Sequence, residues 1–394
     1  TPMDHSNARN DNAPEQNARI AGGCCLLLAT LVVALVLAAR SAPPGQAPGA
    51  ALAHGPSASA GPGVPLTALW EAPARRRASA AAIWDTDQDG DDELLLLDGD
   101  DRIIMYDERG DDLRTATLPY DAGCLGIARG RRPPAIVTGS LYASVSALDR
   151  AGDEVLWSYS LPMTYTLTAC AVADLEGDGI EEIVAAQPDR GLTCLDADGK
   201  HRWQLPLPGL IGSLAVGDVN DDGRPEILVA GRDTPVFVVS SAGHLRHTWD
   251  IWASACYVAV ADLDGNGADE IAVKTAAFGR SDRAFVAGVD SAGHLTWRRP
   301  VPGLVRAVHT GRPVLDRPLT AVDINNDGRR EWAAVGSDGS LHLIGGSGEL
   351  LGVYWADEPL IGLYPMRTRA GLERLVAVSP NSARCLEWKG EAGG

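Results

Sequence analysis

The chain has 394 residues, 45% of them apolar and 22% charged, with a net charge of −18 and a pI near 4.8. That length suits about two or three ordinary domains or one large repeat fold. An acidic surface of this size repels phosphate backbones, which sets nucleic acid aside as a partner. Seven cysteines form no CxxC pattern, so zinc and dithiol redox chemistry find no motif.

Residues 1–19 form a polar N-terminal tail. Residues 20–39 then run without a charge and are closed by Arg40. A helix rising about 1.5 Å per residue covers about 30 Å over such a run, the thickness of a bilayer core. A transmembrane helix acting as a signal anchor is expected there. A cleaved signal peptide is the alternative, although its apolar region is usually only about 7–15 residues long. Arg9 and Arg19 precede the run and Arg40 alone follows closely, which favours a cytoplasmic N-terminus with the remainder outside. Residues 40–65, rich in Ala, Pro and Gly, read as a flexible linker.

From residue 66 onward the chain repeats itself. Five nine-residue segments start at Asp85, Asp174, Asp218, Asp262 and Asp323, at intervals of 89, 44, 44 and 61 residues. In each, position 1 is Asp, position 6 is Gly and position 9 is Glu, while positions 3 and 5 are Asp, Asn or Glu. The first interval is about two periods, so a degenerate unit is expected near 125–160, with Arg131 and Arg132 where carboxylates should be. A second falls near 367, around Arg367 and Arg369, where a guanidinium would neutralise a residual carboxylate such as Glu373 or lie in a solvated basic turn. The count is seven units.

Each unit holds four short β-like runs. In the fourth they are Ser213–Val216, Glu226–Ala230, Val236–Val239 and Leu245–Trp249. Four antiparallel strands about every 44 residues predict an all-β, seven-bladed β-propeller over 66–390. Trp157, Trp203, Trp249 and Trp297 recur in the fourth strands as core packing, and Trp70 fits that position ahead of the first unit. The last unit stops after its third strand, so residues 66–72 are expected to complete it and close the ring. Cys124 and Cys170 fall at similar places in neighbouring units. They read as small buried hydrophobes, with a disulfide between them left open.

The acidic segments carry the chemistry. The expected ligand sets are Asp85, Asp87, Asp89 and Glu93; Asp174, Glu176, Asp178 and Glu182; Asp218, Asn220, Asp222 and Glu226; Asp262, Asp264, Asn266 and Glu270; and Asp323, Asn325, Asp327 and Glu331. Hard Ca²⁺ takes about 6–8 oxygen ligands, and this spacing matches the first half of an EF-hand loop with its closing carboxylate moved to position 9. Seventeen of these twenty side chains are carboxylates, close to the whole excess charge of 18. Crowded carboxylates repel one another unless a cation sits among them. Up to five structural calcium ions are therefore expected.

Such loops in a propeller resemble the FG-GAP or VCBS repeat family, which includes the integrin α-subunit head. The resemblance implies calcium-binding hairpins and a role in recognition or adhesion outside cells. No nucleophile–His–acid constellation is visible, so the chain is expected to be a non-catalytic recognition, adhesion or scaffold module taking a protein or carbohydrate ligand. The alternatives are an accessory subunit of a larger membrane complex and a polysaccharide lyase-like enzyme. The long interval before Asp323 adds residues opposite the acidic loops, where Arg299, Arg306, His309, Arg312 and Arg317 are the expected partner surface.

Overall fold

The computed structural model describes residues 63–99, 101–130, 133–140, 144–161, 167–232, 234–251, 255–275, 284–302 and 317–390. The polar tail, the apolar run 20–39 and most of the linker lie outside these residues, as do Arg131, Arg132, Arg306, His309 and Arg312.

Seven four-stranded antiparallel sheets form the propeller. The inner strands of blades 1 to 7 are Ala78–Trp84, Ala122–Ala128, Ala169–Ala173, Leu210–Gly217, Ala255–Ala261, Leu319–Val322 and Gly362–Arg367. The outer strands of blades 1 to 6 are Asp112–Thr117, Val155–Ser160, His201–Leu205, Leu245–Trp249, Leu295–Pro300 and Leu350–Trp355. Blade 7 takes its outer strand from the start of the domain. Leu66–Pro73 pairs antiparallel with Ser382–Trp388, which joins the two ends of the fold and closes the ring as expected.

The core has no single centre. Seven clusters of buried side chains each straddle one seam between neighbouring blades. Alternation along a strand explains this. Leu94 and Leu96 face the seam with blade 7, while Leu95 and Leu97 face the seam with blade 2. A strand covered on both faces is therefore apolar at every position, and all four leucines are 0% exposed. Each contributes about 1.5–3 kcal/mol of burial.

The periodic tryptophans lie across five of these seams. Trp70, Trp157, Trp203, Trp249 and Trp297 each lie against a positive-φ glycine in the last turn of the next blade: Gly110, Gly199, Gly243, Gly293 and Gly348. A Cβ at any of these glycines would come within 2.8 Å of the indole, so the contact needs glycine for space as well as backbone conformation. One register detail differs from the sequence reading. Trp157, Trp203 and Trp297 occupy equivalent positions, but His247 stands there in blade 4 and Trp249 lies two residues further along.

Cys124 and Cys170 form a disulfide between the inner strands of blades 2 and 3, with Cα atoms 6.4 Å apart. Cys194 and Cys385 are buried free thiols whose pKa burial pushes up to about 12, which leaves them as inert packing groups.

Candidate metal centres

The five acidic segments all connect the first strand of a blade to the second, and each second strand begins on the position-9 glutamate. They share one backbone shape. Position 4 is left-handed, with φ from 57° to 76°, and is Gln88, Gly177, Asp221, Gly265 or Asn326. The position-6 glycine is left-handed too, with φ from 79° to 94°. Two such residues in three fold the chain tightly enough to bring positions 1 and 9 together.

The same hydrogen bonds recur in every loop. The position-1 aspartate accepts from the glycine N–H at 2.6 to 3.1 Å. The position-5 side chain accepts from the N–H of position 7 at 2.7 to 2.9 Å. The position-9 glutamate reaches back to accept from the N–H of position 2. Carboxylates are thus aimed inward by their own backbone, before any ion is considered.

That inward aim is electrostatically costly. Burial pushes Glu93 and Glu331 up to about 7, and nearby loop aspartates add to the rise. Glu182, Glu226 and Glu270 are raised for the same first reason. Asp85 Oδ1 is buried with no hydrogen-bond partner. An all-oxygen set with an orphaned carboxylate oxygen and burdened glutamates fits a hard divalent cation. The twenty predicted side chains are those that would hold it, and the ion would supply the counter-charge that the loops lack.

The loops are not equal in their third ligand. Donor oxygens of Asp85, Asp87 and Asp89 lie within 4.8 Å of one another, as do those of Asp262, Asp264 and Glu270. In the loops at 218 and 323 position 3 is asparagine, whose amide bonds the glutamate itself: Asn220 to Glu226 at 2.8 Å and Asn325 to Glu331 at 3.3 Å. In the loop at 174, Glu176 is ion-paired with Arg202.

Position 8 has a role that sequence reasoning missed. Asp92 accepts from the Arg367 N–H of blade 7 at 2.8 Å, and Asp269 from the Asp218 N–H of blade 4 at 2.8 Å. Glu181 accepts from the Gly130 N–H of blade 2 in the same way. These carboxylates stitch neighbouring blades rather than complete a ligand set. The recurrence of acid at position 8 in three of the five loops was the available signal.

The degenerate seventh unit answers the guanidinium question. Glu373 Oε1 receives Arg330 at 2.9 Å and Arg367 at 3.2 Å, and Oε2 receives the Asp323 N–H at 2.9 Å. Burial alone would raise Glu373, but that N–H and the two guanidinium groups outweigh it and hold the carboxyl below its usual range. Arg369 instead pairs with Asp91 of blade 1 at 3.3 Å.

Of the expected partner surface, Arg299 donates through Nε and Nη2 to the Gly348 carbonyl at 3.0 and 2.7 Å. Arg317 is exposed and sits over the Tyr364 ring at 6.0 Å.

Two clefts open beside the acidic loops of blades 4 and 5. The larger, about 360 Å³, is lined by Asp221, Asp269, Val289, Asp290, Trp297 and Trp332 among others. The smaller, about 310 Å³, holds Asp222, Glu226, Arg246, His247 and Trp249.

Comparison with known proteins agrees with this geometry. The FG-GAP-like repeat family matches residues 218–273. No curated protein matches the chain. Among solved structures, the crystal structure of BBS1N in complex with ARL6DN, soaked with lead, superposes with a TM-score of 0.66 at 14% identity, covering 84% of this chain and 100% of that one. The mercury-soaked crystal of the same complex gives 0.65 at 15% identity, covering 84% and 99%. At that identity the likeness speaks for the fold.

Proposed function

This chain belongs to the FG-GAP-repeat β-propellers, and from that premise we propose that it is a non-catalytic, calcium-stabilised module that binds a protein partner outside the cytoplasm. The observation that carries the metal reading is the shared loop network, which gathers carboxylates in all five loops, buries the position-9 glutamate in four of them and raises its pKa in every one. Calcium modules outside cells typically bind at about 10⁻⁴–10⁻³ M, a range suited to that compartment.

The compartment has two supports. Disulfides persist in oxidising surroundings, and Cys124–Cys170 joins two blades. The uncharged run at 20–39 is long enough to anchor the domain to a membrane. The partner reading draws on the similar solved structure, which is that of a complex, BBS1N with ARL6DN.

A permanently buried subunit is the weaker reading. Among the described residues the exposed large apolar side chains of the outer strands are Leu69, Leu113, Val155, Leu245, Leu295, Leu351 and Trp355, spread over six blades with only Leu351 and Trp355 sharing one. Spread around the ring in this way, they do not favour one large buried interface. A lyase-type site would draw on Arg246 and His247 in the smaller cleft, but both its carboxylates are engaged, Glu226 by the Val219 N–H and the Asn220 amide and Asp222 by the Arg224 N–H.

Thermal unfolding tests the metal reading. Chelation with EDTA is expected to lower the Tm and calcium to restore it, with magnesium less effective. Each loop saturated at about 100-fold over its Kd contributes about 2.7 kcal/mol. An unchanged Tm on chelation would remove structural calcium from this description.

A further inference from the structure

Five seams carry a tryptophan against the last turn of the next blade, yet only three are closed. Trp70 donates its indole N–H to the Glu108 carbonyl at 2.8 Å, Trp157 to Ala197 at 3.0 Å and Trp203 to Ser241 at 3.1 Å. Trp249 and Trp297 make no such bond among the described residues, and these are the two seams where the clefts open. Ser291 and Gly346, at the turn positions of Ala197 and Ser241, line those clefts instead.

The cause is visible at Trp297. Its partner on the third strand is Gly288, where Trp157 and Trp203 face Ala147 and Cys194. A Cβ on Gly288 would lie 2.3 Å from Trp297 Nε1. The indole nitrogen therefore occupies space that a side chain fills elsewhere, and it has turned away from the neighbouring turn. Trp332, only 1% exposed, lines the same cleft, and its indole N–H also has no partner among the described residues. Neither indole nitrogen is sealed from solvent, so each N–H is open to an acceptor entering the cleft, such as a carbonyl or hydroxyl oxygen.

The rest of the lining gives the charge of the occupant. Asp221, Asp269, Glu270 and Asp290 border the cleft, and among the described residues no lysine, arginine or histidine lines it. Asp290 is engaged by the backbone N–H groups of His294 and Ala292 and by the His294 imidazole at 3.2 Å, and Asp269 by the Asp218 N–H. Asp221 is exposed with no bond to its carboxylate among the described residues. Val219, Ile271 and Val289 supply an apolar floor. The volume of about 360 Å³ sits at the lower end of the range for ligand sites, enough for one long side chain and its backbone.

We propose that this cleft receives a lysine or arginine of the protein partner, its cationic head beside Asp221 and Asp269 and its backbone carbonyl accepting from Trp297 and Trp332. The proposal rests on the partner-binding reading and adds the site and the chemistry of contact. The aliphatic stem of a basic side chain covers the apolar floor while its head meets the carboxylates. Calcium on the adjacent loop would engage Glu270 and leave Asp221 and Asp269 for the partner.

The test uses the full calcium-saturated chain with ¹⁵N-labelled tryptophan, titrated with N-acetyl-arginine-N-methylamide. The Trp297 and Trp332 indole resonances, assigned with Trp297→Phe and Trp332→Phe, should move together to saturation. N-acetyl-norleucine-N-methylamide offers the same carbonyls without the cation and should bind at least about tenfold more weakly. Asp221→Asn keeps the left-handed backbone and should weaken arginine binding about threefold to fivefold with the Tm unchanged. Equal binding of the norleucine compound or of a neutral disaccharide overturns the proposal, as does an unmoved indole signal or an indifferent Asp221→Asn. A partner that still binds when the indoles do not respond sinks this cleft and leaves the wider partner-binding reading intact.

Discussion

The five blades with acidic loops and the two without solve one problem in different ways. Where a loop leaves the first strand, the chain turns sharply and presents a carboxylate at position 9 beneath the turn. In blades 1, 3, 4, 5 and 6 that carboxylate is Glu93, Glu182, Glu226, Glu270 or Glu331, with acidic neighbours and a raised pKa. In blade 7 the equivalent Glu373 is held by Arg330 and Arg367 and has a lowered pKa. In blade 2 the second strand begins on Ala135, and the blade is instead bonded covalently to blade 3 through Cys124 and Cys170. The fold therefore accommodates an acidic ligand set, a glutamate held by two guanidinium groups or no charge at all at this place.

The disulfide offers the largest effect of a covalent kind. It closes a loop of 46 residues, which the chain-entropy relation values at about 4 kcal/mol. Cys124→Ala with Cys170→Ala should lose that much in chemical denaturation with and without EDTA. A loss that depends on the metal would mean that blade 2 leans on its neighbour's loop rather than on the bond.

Next comes the guanidinium pair. Glu373→Gln leaves Arg330 and Arg367 facing a neutral amide, and is expected to cost about 2–3 kcal/mol whether or not calcium is present. The pH dependence separates the two kinds of blade. Glu373 has a folded pKa below its unfolded value, so its contribution holds above the ordinary carboxylate range and is lost as pH falls through the lowered pKa. Glu331 in the chelated protein has a folded pKa raised from 4.5 to about 7, so stability is favoured at acid pH and lost as pH rises through about 7. Glu331→Gln should reduce that loss between about pH 4.5 and 7 in EDTA, the remainder belonging to Glu93, while Glu373→Gln should flatten the acid one. The same slope in both variants would erase the distinction.

The smallest effect compares closed and open seams. Trp203→Phe removes the bond to Ser241 and should cost about 1 kcal/mol beyond the loss of ring area. Trp297→Phe removes no such bond and should cost less. Equal losses would mean that the seam at Trp297 is closed in solution.

Much of this was readable along the chain because repeats multiply weak signals. One Asp-x-Asp-x-Asp-Gly segment could be an ordinary turn, whereas five in register fixed the blade count, the strand order and the residues beneath each turn. Ring closure by Leu66–Pro73 followed from a missing fourth strand. The position-8 stitches were less legible, because an acid that bonds the preceding blade looks in sequence like one more ligand. Arg330 on Glu373 was hidden for a related reason, since the two residues lie 43 apart and meet only across a seam.

Local spacing decides what lies within a hairpin, where backbone geometry leaves few choices. The tight turns, the strand order and the gathering of carboxylates within each loop belong to that class, and the amino-acid order alone determined them here. Contacts across seams depend on how one blade leans on the next. Whether Trp297 bonds a turn or opens a cleft turns on a single missing side chain at Gly288, a distinction of packing that only three-dimensional neighbours decide.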